Sequence, residues 1–486
     1  MATSLSPDVE AYRLMCAGRF GEALPFAERA VAGQRTCIPA HGMLASILLR
    51  LGRAPEAEQV VAHALACKPG IADAYDGLAH VSRLMGRHER SNSLYRHVVS
   101  LDPTTPRFWY NLASSERSFG RLAEAEAACD RAIALDRTQY PSYLLRSELR
   151  VQTPEANHVA VLQEEHARPG IDDRARLFLG YALGKELDDL GRYEEAFHWF
   201  HAAASVRRRH LSYDVAADER KFERIKETFG SDAVRAARHG IDSSRYIFVI
   251  GLPRSGTTLV ERILLGLAGV RSNGETENFS RALLGASPND SRDVFARAAA
   301  AAPEAVAARY ETLAASGDAG SAVIEKLPMN YLYLGAIHRA LPQARLVLLR
   351  RSPLDSCFAM YRTLFGDAYP FSYELEELGR YYAAYQALID HWRASFGESI
   401  HEVCYEDLVK DPAKMGAALA RHCGLAWSEQ AIEVQANTAV SLTASAAQIR
   451  RPIYGSSSGR WRSYRAHLAP LIRQLRARGI ELPEDA

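Results

Sequence analysis

The stretch Tyr246–Leu265, YIFVIGLPRSGTTLVERILL, decides the fold of the second half of this 486-residue chain. Its first five residues form an apolar run of the kind that becomes a buried β-strand. A turn that contains Gly251 and Gly256 follows, and a helical pattern begins at Thr257. A strand that leads through a glycine loop into a helix N-terminus is suited to hold a phosphate, because backbone N–H groups and the helix dipole attract anions.

This loop differs from that of ATP and GTP hydrolases at one position. Its glycines and Thr258 fit the pattern GxxxxGK[ST], but Thr257 occupies the place of the lysine. In those hydrolases the lysine contacts the β and γ phosphates and the next hydroxyl binds magnesium. The sequence therefore disfavours a nucleoside-triphosphate kinase or hydrolase, while Arg254 adds a planar group that suits a tetrahedral oxyanion.

Apolar β-type runs recur in this half of the chain. They lie at 246–250, 322–324, 346–349 and 400–404, and longer helical segments separate them. This alternation predicts an α/β domain with a central parallel sheet that helices cover.

The first half of the chain repeats at a step of 34 residues. Each repeat contains a glycine, and a small apolar residue follows that glycine by twelve positions. A fifth copy of the repeat begins at Gly191, after an irregular stretch around 150–175. Glycine allows a turn between two helices, and small residues allow those helices to approach closely. The repeated Gly-Arg pairs begin at Gly18, Gly52, Gly86 and Gly120.

This pattern resembles the tetratricopeptide repeat over roughly residues 9–206. The resemblance implies an all-α solenoid whose concave face binds a protein partner, with packing against the second half or dimerisation as the alternatives. We therefore predict a repeat domain at 1–206, a charged helical connector at 207–240 and the α/β domain at 241–486.

Composition gives weaker indications. The net charge of +1 provides no overall attraction to nucleic acid. The sequence contains no run of eighteen apolar residues of the kind that would indicate a membrane span. The N-terminal residues show no secretion signal, and the seven scattered cysteines suggest reduced thiols. We expect a cytoplasmic protein.

The loop PRSGTT resembles the 5′-phosphosulfate loop of sulfotransferases that use 3′-phosphoadenosine 5′-phosphosulfate (PAPS). In their second motif, an arginine and a serine eight positions later bind the 3′-phosphate; Arg351 fits the arginine, but Ala359 replaces the serine. Ser356 is the candidate to take its place, with other arginines as the alternative. The donor-binding residues implied in the loop are Arg254, Ser255, Gly256, Thr257 and Thr258.

Two C-terminal segments extend the resemblance. TASAAQIRRPIYGSSSGRWRSY (443–464) is similar to the basic segment that closes over the donor, and its spacing looks like that of tyrosylprotein sulfotransferases, with Arg460 in place of a lysine. This implies a catalytic role for Ser445 and donor contacts for Arg451 and Arg460. VCYEDLVKDP (403–412) matches a segment whose tyrosine, here Tyr405, lies against the adenine.

The resemblance also implies the catalytic groups. Lys326, in IEKLP, resembles the lysine that stabilises the leaving group, and Arg254 would meet the 5′-phosphosulfate. Glu275, in VRSNGETENF, resembles the base, with Glu277 as the alternative. No histidine is equally well placed.

We therefore predict a PAPS-dependent sulfotransferase that needs no metal and modifies an acceptor hydroxyl. Protein tyrosine is one acceptor, and a small molecule, a lipid or a glycan is the other. The rival prediction is a repeat scaffold that binds the desulfated nucleotide, 3′-phosphoadenosine 5′-phosphate (PAP), without turnover, because Ala359 cannot donate a hydrogen bond.

Overall fold

The structure, a computed structural model, describes a large part of the chain as two compact units, Met1–Val151 and Gln152–Ala486. Ser445 and Arg451, both predicted site residues, lie outside the described residues. The described residues are 6–32, 39–230, 242–314, 321–436, 440–441, 452–453, 455 and 457–486.

The first unit is all-α, as the 34-residue repeat predicts. The four repeated glycines lie in the turns between paired helices with φ of 71°, 79°, 71° and 77°, a region that glycine adopts without steric cost. The in-phase residues Ala30, Ala64, Val98 and Ala132 are all buried. The helices are α1 (Pro7–Cys16), α2 (Phe20–Ala32), α3 (Pro39–Arg50), α4 (Ala54–Ala66), α5 (Ala72–Leu84), α6 (His88–Leu101), α7 (Pro106–Ser118), α8 (Leu122–Leu135) and α9 (Tyr140–Glu148).

The second unit begins with further helices. Two of them pack closely, because a Cβ added at Gly184 would lie only 2.6 Å from Cδ1 of Phe200. Gly191 connects the same two helices with φ 74°. The prediction of an irregular stretch is wrong for 159–166, which form a helix. The helices are α10 (Val159–His166), α11 (Asp173–Asp189), α12 (Tyr193–Arg209) and α13 (Val215–Thr228).

Among the described residues, five parallel strands form a sheet in the order β2-β3-β1-β4-β5. The predicted α/β architecture is confirmed, although β2 was not predicted because three half-buried residues at a sheet edge give little periodic signal. Parallel strands end at the same edge, so the loops after β1, β3 and β4 meet there. The strands are β1 (Tyr246–Gly251), β2 (Val270–Ser272), β3 (Ala322–Lys326), β4 (Arg345–Arg350) and β5 (Ile400–Cys404).

Helices cover this sheet. Its apolar core includes Val249, Ile263, Val347, Val403 and Leu419, all fully buried. The helices are α14 (Thr257–Leu265), α15 (Asn278–Ala286), α16 (Val294–Ala300), α17 (Pro303–Ala314), α18 (Leu334–Ala340), α19 (Pro353–Tyr361), α20 (Leu375–Phe396), α21 (Tyr405–Lys410), α22 (Pro412–His422) and α23 (Ala469–Ala477).

Two expectations from composition can be compared with the described part of the chain. None of its helices combines the length and the apolar character that a membrane crossing requires. Cys67 is disulfide-bonded, so the expectation that all cysteines are reduced is wrong at that residue. The free cysteines are Cys16, Cys129, Cys357, Cys404 and Cys423.

Candidate active site

The loop between β1 and α14 has the backbone geometry of an anion cradle. Arg254 and Gly256 have positive φ of 66° and 109°, and such a conformation is uncommon for a non-glycine residue outside functional turns. A Cβ at Gly256 would lie 2.6 Å from Cδ2 of Tyr405, so only glycine fits beside that ring. Thr257 and Thr258 are buried in the first turn of α14, whose N-terminus therefore adjoins the loop.

Arg351 joins this loop to the C-terminal segment. Its Nη1 donates to the carbonyl oxygen of Arg254 at 2.8 Å, and its Nη2 donates to the carbonyl oxygen of Ser457 at 2.6 Å. The guanidinium carbon lies 4.8 Å from the ring centre of Tyr405, whose hydroxyl is 2.7 Å from Oγ of Ser457. Burial lowers the pKa of Arg351. The structure therefore brings Arg254, Arg351 and Tyr405 together.

Three serine hydroxyls in these connected segments are buried and have no hydrogen-bond partner in the described part of the chain. They belong to Ser255 in the loop, Ser352 after β4 and Ser458 in the C-terminal segment. Leaving a buried polar group unpaired costs about 1–3 kcal/mol. Each serine directly follows one of the residues that Arg351 links, Arg254, Arg351 itself or Ser457, and a polar, anionic ligand could supply the missing partners.

Ser356 and Ala359 both lie in α19 and are buried. The Ser356 hydroxyl is 3.4 Å from the carbonyl oxygen of Arg351, so it has an acceptor within the protein. Asp355, one residue earlier, accepts hydrogen bonds from the backbone N–H of Gly459 at 2.7 Å and of Trp461 at 3.3 Å. The first turn of this helix thus fixes the described part of the C-terminal segment.

A buried lysine lies between two glutamates at the end of β3. Lys326 is 1% exposed, and its Nζ is 2.6 Å from Oε1 of Glu275 and 3.5 Å from Oε2 of Glu261. Glu261 also accepts a hydrogen bond of 2.5 Å from the hydroxyl of Ser272. The Glu275 side chain is 38% exposed, so a second molecule can reach it. The predicted lysine and the predicted base are therefore in direct contact.

Aromatic side chains stand beside the acidic loop. Burial, followed by the charge of Glu275, raises the pKa of Tyr369. Burial, followed by the charge of Glu277, raises the pKa of Tyr333. Phe365 packs edge-on against Tyr369, with ring centres 4.8 Å apart. These half-buried rings form an aromatic border that is close enough to the acidic loop for Glu275 and Glu277 to act on two of the phenols.

Two histidines, His338 and His391, lie in helices and contact other parts of the protein. His338 stacks on Phe396 with ring centres 4.8 Å apart, and burial lowers its pKa. Nε2 of His391 is 3.0 Å from the carbonyl oxygen of Phe229.

Arg460 binds a carboxylate from a different part of the unit. Its Nη2 is 2.8 Å from Oδ2 of Asp188 in α11. The same carboxylate pairs with Nη1 of Arg362 at 2.6 Å and accepts a hydrogen bond from Tyr464. The structure therefore places Arg460 on Asp188, whereas Arg254 and Arg351 meet at the glycine loop.

Comparison with known proteins assigns both regions. Residues 246–429 match the sulfotransferase family, and 14–80, 79–141 and 182–214 match the tetratricopeptide repeat. The chain carries tetratricopeptide repeats and a sulfotransferase domain. Such a domain supports a transferase that moves a sulfuryl group.

One curated relative and several solved structures are similar to this chain. An uncharacterised protein of Aquifex aeolicus (strain VF5) is 29% identical over 343 residues, which are 67% of this chain and 45% of that protein. This chain thus spans less than half the length of that relative.

Among solved structures, the sulfotransferase domain of the Synechococcus PCC 7002 olefin synthase is 21% identical, with a TM-score of 0.35 over 49% of this chain and 96% of that one. The sulfotransferase domain of the curacin biosynthetic pathway is 17% identical, with a TM-score of 0.35 over 51% and 100%. On the repeat side, pilF of Pseudomonas aeruginosa is 17% identical, with a TM-score of 0.30 over 40% and 87%.

Sequence reasoning missed several residues that shape this candidate site. Asp188 and Asp355 gave no local signal, because their partners are distant in the chain. Glu325 did give one, since a charged residue at an inner position of a buried strand requires polar partners.

Proposed function

We propose that this sulfotransferase moves the sulfuryl group of PAPS to a phenolic acceptor hydroxyl, with Glu275 as base and Lys326 at the leaving group. The contact of 2.6 Å between Lys326 Nζ and Glu275 Oε1 is the observation that carries the proposal. It lies at the C-terminal end of β3, at the sheet edge where the glycine loop also begins. Bound PAPS would supply an activated sulfuryl group beside these residues.

The residues around the glycine loop fit this donor. The loop amides and the N-terminus of α14 favour an anionic group, and Arg254 and Arg351 add positive charge. The unpaired hydroxyl of Ser255 suits the 5′ end. Ser352 and Ser458 offer hydroxyls to the 3′-phosphate that Ala359 cannot contact, and the Tyr405 ring offers a face to the adenine.

The carboxylate and the lysine act together in the chemical step. Glu275 accepts the proton of the acceptor hydroxyl, which matters for a phenol because its pKa is about 10. The acceptor oxygen then bonds to sulfur while the bond from sulfur to the bridging phosphate oxygen breaks. Once Glu275 is protonated, Lys326 has lost one of its two negative neighbours, and its charge can stabilise the growing charge on that bridging oxygen.

The aromatic border beside Glu275 and Glu277 supports a phenolic acceptor. Rings such as Tyr333, Phe365 and Tyr369 pack favourably against another aromatic ring. We propose that the phenol is a tyrosine of a protein that the repeats bind. A small free phenol is the competing acceptor at the same residues.

Calorimetry with PAP tests the donor site. We expect the Arg254→Ala variant to bind PAP about 10- to 150-fold more weakly, because one charge-assisted hydrogen bond contributes about 1.5–3 kcal/mol. Arg421→Ala, which removes an exposed arginine of α22, is the matched control and should bind like the wild type. A folded wild-type protein that does not bind PAP would refute the proposal.

The acceptor is tested by transfer of labelled sulfate from PAPS. A tyrosine peptide and a small phenol are compared at equal concentration, together with an aliphatic alcohol. Labelling of the alcohol alone would exclude a phenolic acceptor.

A further inference from the structure

The loop that carries Glu275 rests on a second, buried carboxylate. Glu325 precedes Lys326 in β3 and is 1% exposed. Successive side chains of a strand point to opposite faces, so these two residues act on opposite sides of the sheet. Glu325 has no part in the proposed reaction, yet a buried carboxylate is unfavourable unless several partners compensate for it.

Three side chains of the acidic loop supply those partners. Asn273 Nδ2 donates to Oε1 at 2.7 Å, Thr276 Oγ1 donates to Oε2 at 2.7 Å, and Asn278 Nδ2 donates to Oε1 at 3.0 Å. Burial raises the pKa of Glu325, and these hydrogen bonds oppose that effect. The donors lie on both sides of Glu275 in the sequence, so the carboxylate holds the two ends of the segment 273–278.

The backbone alone does not hold this segment. The amide of Asn273 donates to the carbonyl oxygen of Ile324 at 3.0 Å, and the amide of Lys326 donates to the carbonyl oxygen of Gly274 at 3.3 Å. In the described part of the chain, this ladder of backbone bonds to β3 ends at Gly274. Beyond that point side chains attach the segment to the strand: Glu275 contacts Lys326, and Thr276 and Asn278 donate to Glu325.

We propose that Glu325 is a positioning residue that holds the segment 273–278 and so places the Glu275 carboxylate against Lys326. The inference rests on the proposed function for the role of Glu275. The attachment itself rests on the three hydrogen bonds to Glu325.

The hydrogen-bond polarity around Glu325 supplies a sharp test. An ionised carboxylate only accepts hydrogen bonds, whereas the amide of a glutamine also presents an NH₂ group. In Glu325→Gln the amide oxygen can still accept from Asn273 and Asn278, which both donate to Oε1, and the hydroxyl of Thr276 can rotate to accept from the NH₂ group. Glu325→Leu removes both acceptor oxygens and leaves these three donors without the carboxylate.

The experiment measures hydrogen exchange, PAP affinity and transfer rate on one set of variants of the full chain. We expect Glu325→Leu to speed amide exchange in residues 272–278 at least tenfold and to lower kcat about 10- to 100-fold, since a small misplacement of a catalytic group has that effect. Glu325→Gln, which can keep the three hydrogen bonds, should stay within about threefold of the wild type in both quantities. PAP affinity should stay within threefold in both variants.

Two further variants complete the set. Thr276→Val removes one donor and should give a smaller effect in the same direction. Glu219→Gln removes a carboxylate that pairs with Arg380 at 3.0 Å, and it should match the wild type in loop exchange and kcat.

The outcomes separate the two proposals. A folded Glu325→Leu with wild-type exchange and kcat overturns the positioning role, as does a loss of PAP affinity as large as the loss of kcat. If Glu325→Leu does not fold, a folded Thr276→Val with wild-type exchange and kcat overturns it. If the wild type transfers no sulfuryl group to any phenol, the proposed function fails, while faster loop exchange in Glu325→Leu would still support the attachment.

Discussion

Replacing Gly256 with alanine should weaken donor binding without unfolding the chain. The added Cβ would lie 2.6 Å from Cδ2 and 3.2 Å from Cε2 of Tyr405, inside van der Waals contact. The φ of 109° adds strain of about 1–3 kcal/mol for a residue with a side chain. The ring cannot easily move away, because its hydroxyl is 2.7 Å from Ser457 Oγ and Arg351 lies over its face. If the backbone of the glycine loop moves instead, the same free energy of about 1–3 kcal/mol is lost from PAP binding, which becomes about 5- to 150-fold weaker.

Calorimetry with PAP and thermal denaturation measure the two effects separately. Gly269→Ala is the matched control, because φ is 72° there but nothing lies within 4 Å of the added Cβ. We expect this control to lower Tm slightly through backbone strain and to bind PAP like the wild type. The reasoning is refuted if Gly256→Ala binds PAP within twofold of the wild type, or if both variants weaken binding equally.

Three other perturbations test separate parts of the structure. Lys326→Ala should lower kcat about 100- to 1000-fold with PAP affinity within threefold, and an unchanged rate would remove the lysine from the mechanism. Asp188→Asn leaves Arg362 and Arg460 without their carboxylate. It should lower the free energy of unfolding, measured by urea titration, by about 3–5 kcal/mol. A loss below about 1 kcal/mol would contradict this prediction. Burial lowers the pKa of His422 to about 4, below the ordinary value of about 6.5. Between these two pH values the histidine of the unfolded chain binds a proton and that of the folded chain does not. Tm should therefore fall as the pH decreases from about 6.5 to about 4. His422→Gln should flatten that dependence, and an equal slope in both proteins would contradict it.

The sequence predicts well those structural features that depend only on residues close together in the chain. Gly52 and Gly86 lie in turns with positive φ because the repeat needs a reversal there, and the residue type alone signals it. The loop from Gly251 to Thr258 is predictable for the same reason, since a strand, a turn and a helix follow directly on one another. Lys326 and Glu275 were each selected through a separate motif, but their contact of 2.6 Å was not predicted, because it depends on the pairing of β2 with β3.

The features that escaped prediction depend on partners far away in the chain. Arg460 was assigned to the donor from its spacing, yet in the structure its charge meets Asp188, which lies 272 residues earlier. Spacing within one segment cannot reveal such a partner, because it depends on how α11 packs. Glu325 is an intermediate case. Its place in a buried strand signals a need for donors, but only the folded loop identifies them as Asn273, Thr276 and Asn278.

Helix α19 connects these distant contacts to the donor site. Its first turn carries Asp355, which holds the amides of Gly459 and Trp461, and it follows directly after Arg351. The N-terminal end of the helix therefore orients the groups that would surround the 3′-phosphate.

The other end of α19 is fixed by helices that precede the sheet. The hydroxyl of Tyr181 donates to the carbonyl oxygen of Tyr361 at 3.3 Å, and Nδ1 of His201 lies 2.8 Å from the Tyr361 hydroxyl. Asp188 holds Arg362, the next residue. Because α19 is a single short helix, a shift at this end is transmitted to its first turn. We therefore expect helices α11 and α12 to contribute to the geometry of the proposed donor site. Weaker PAP binding by the folded Asp188→Asn variant, measured below its unfolding transition, would report that contribution.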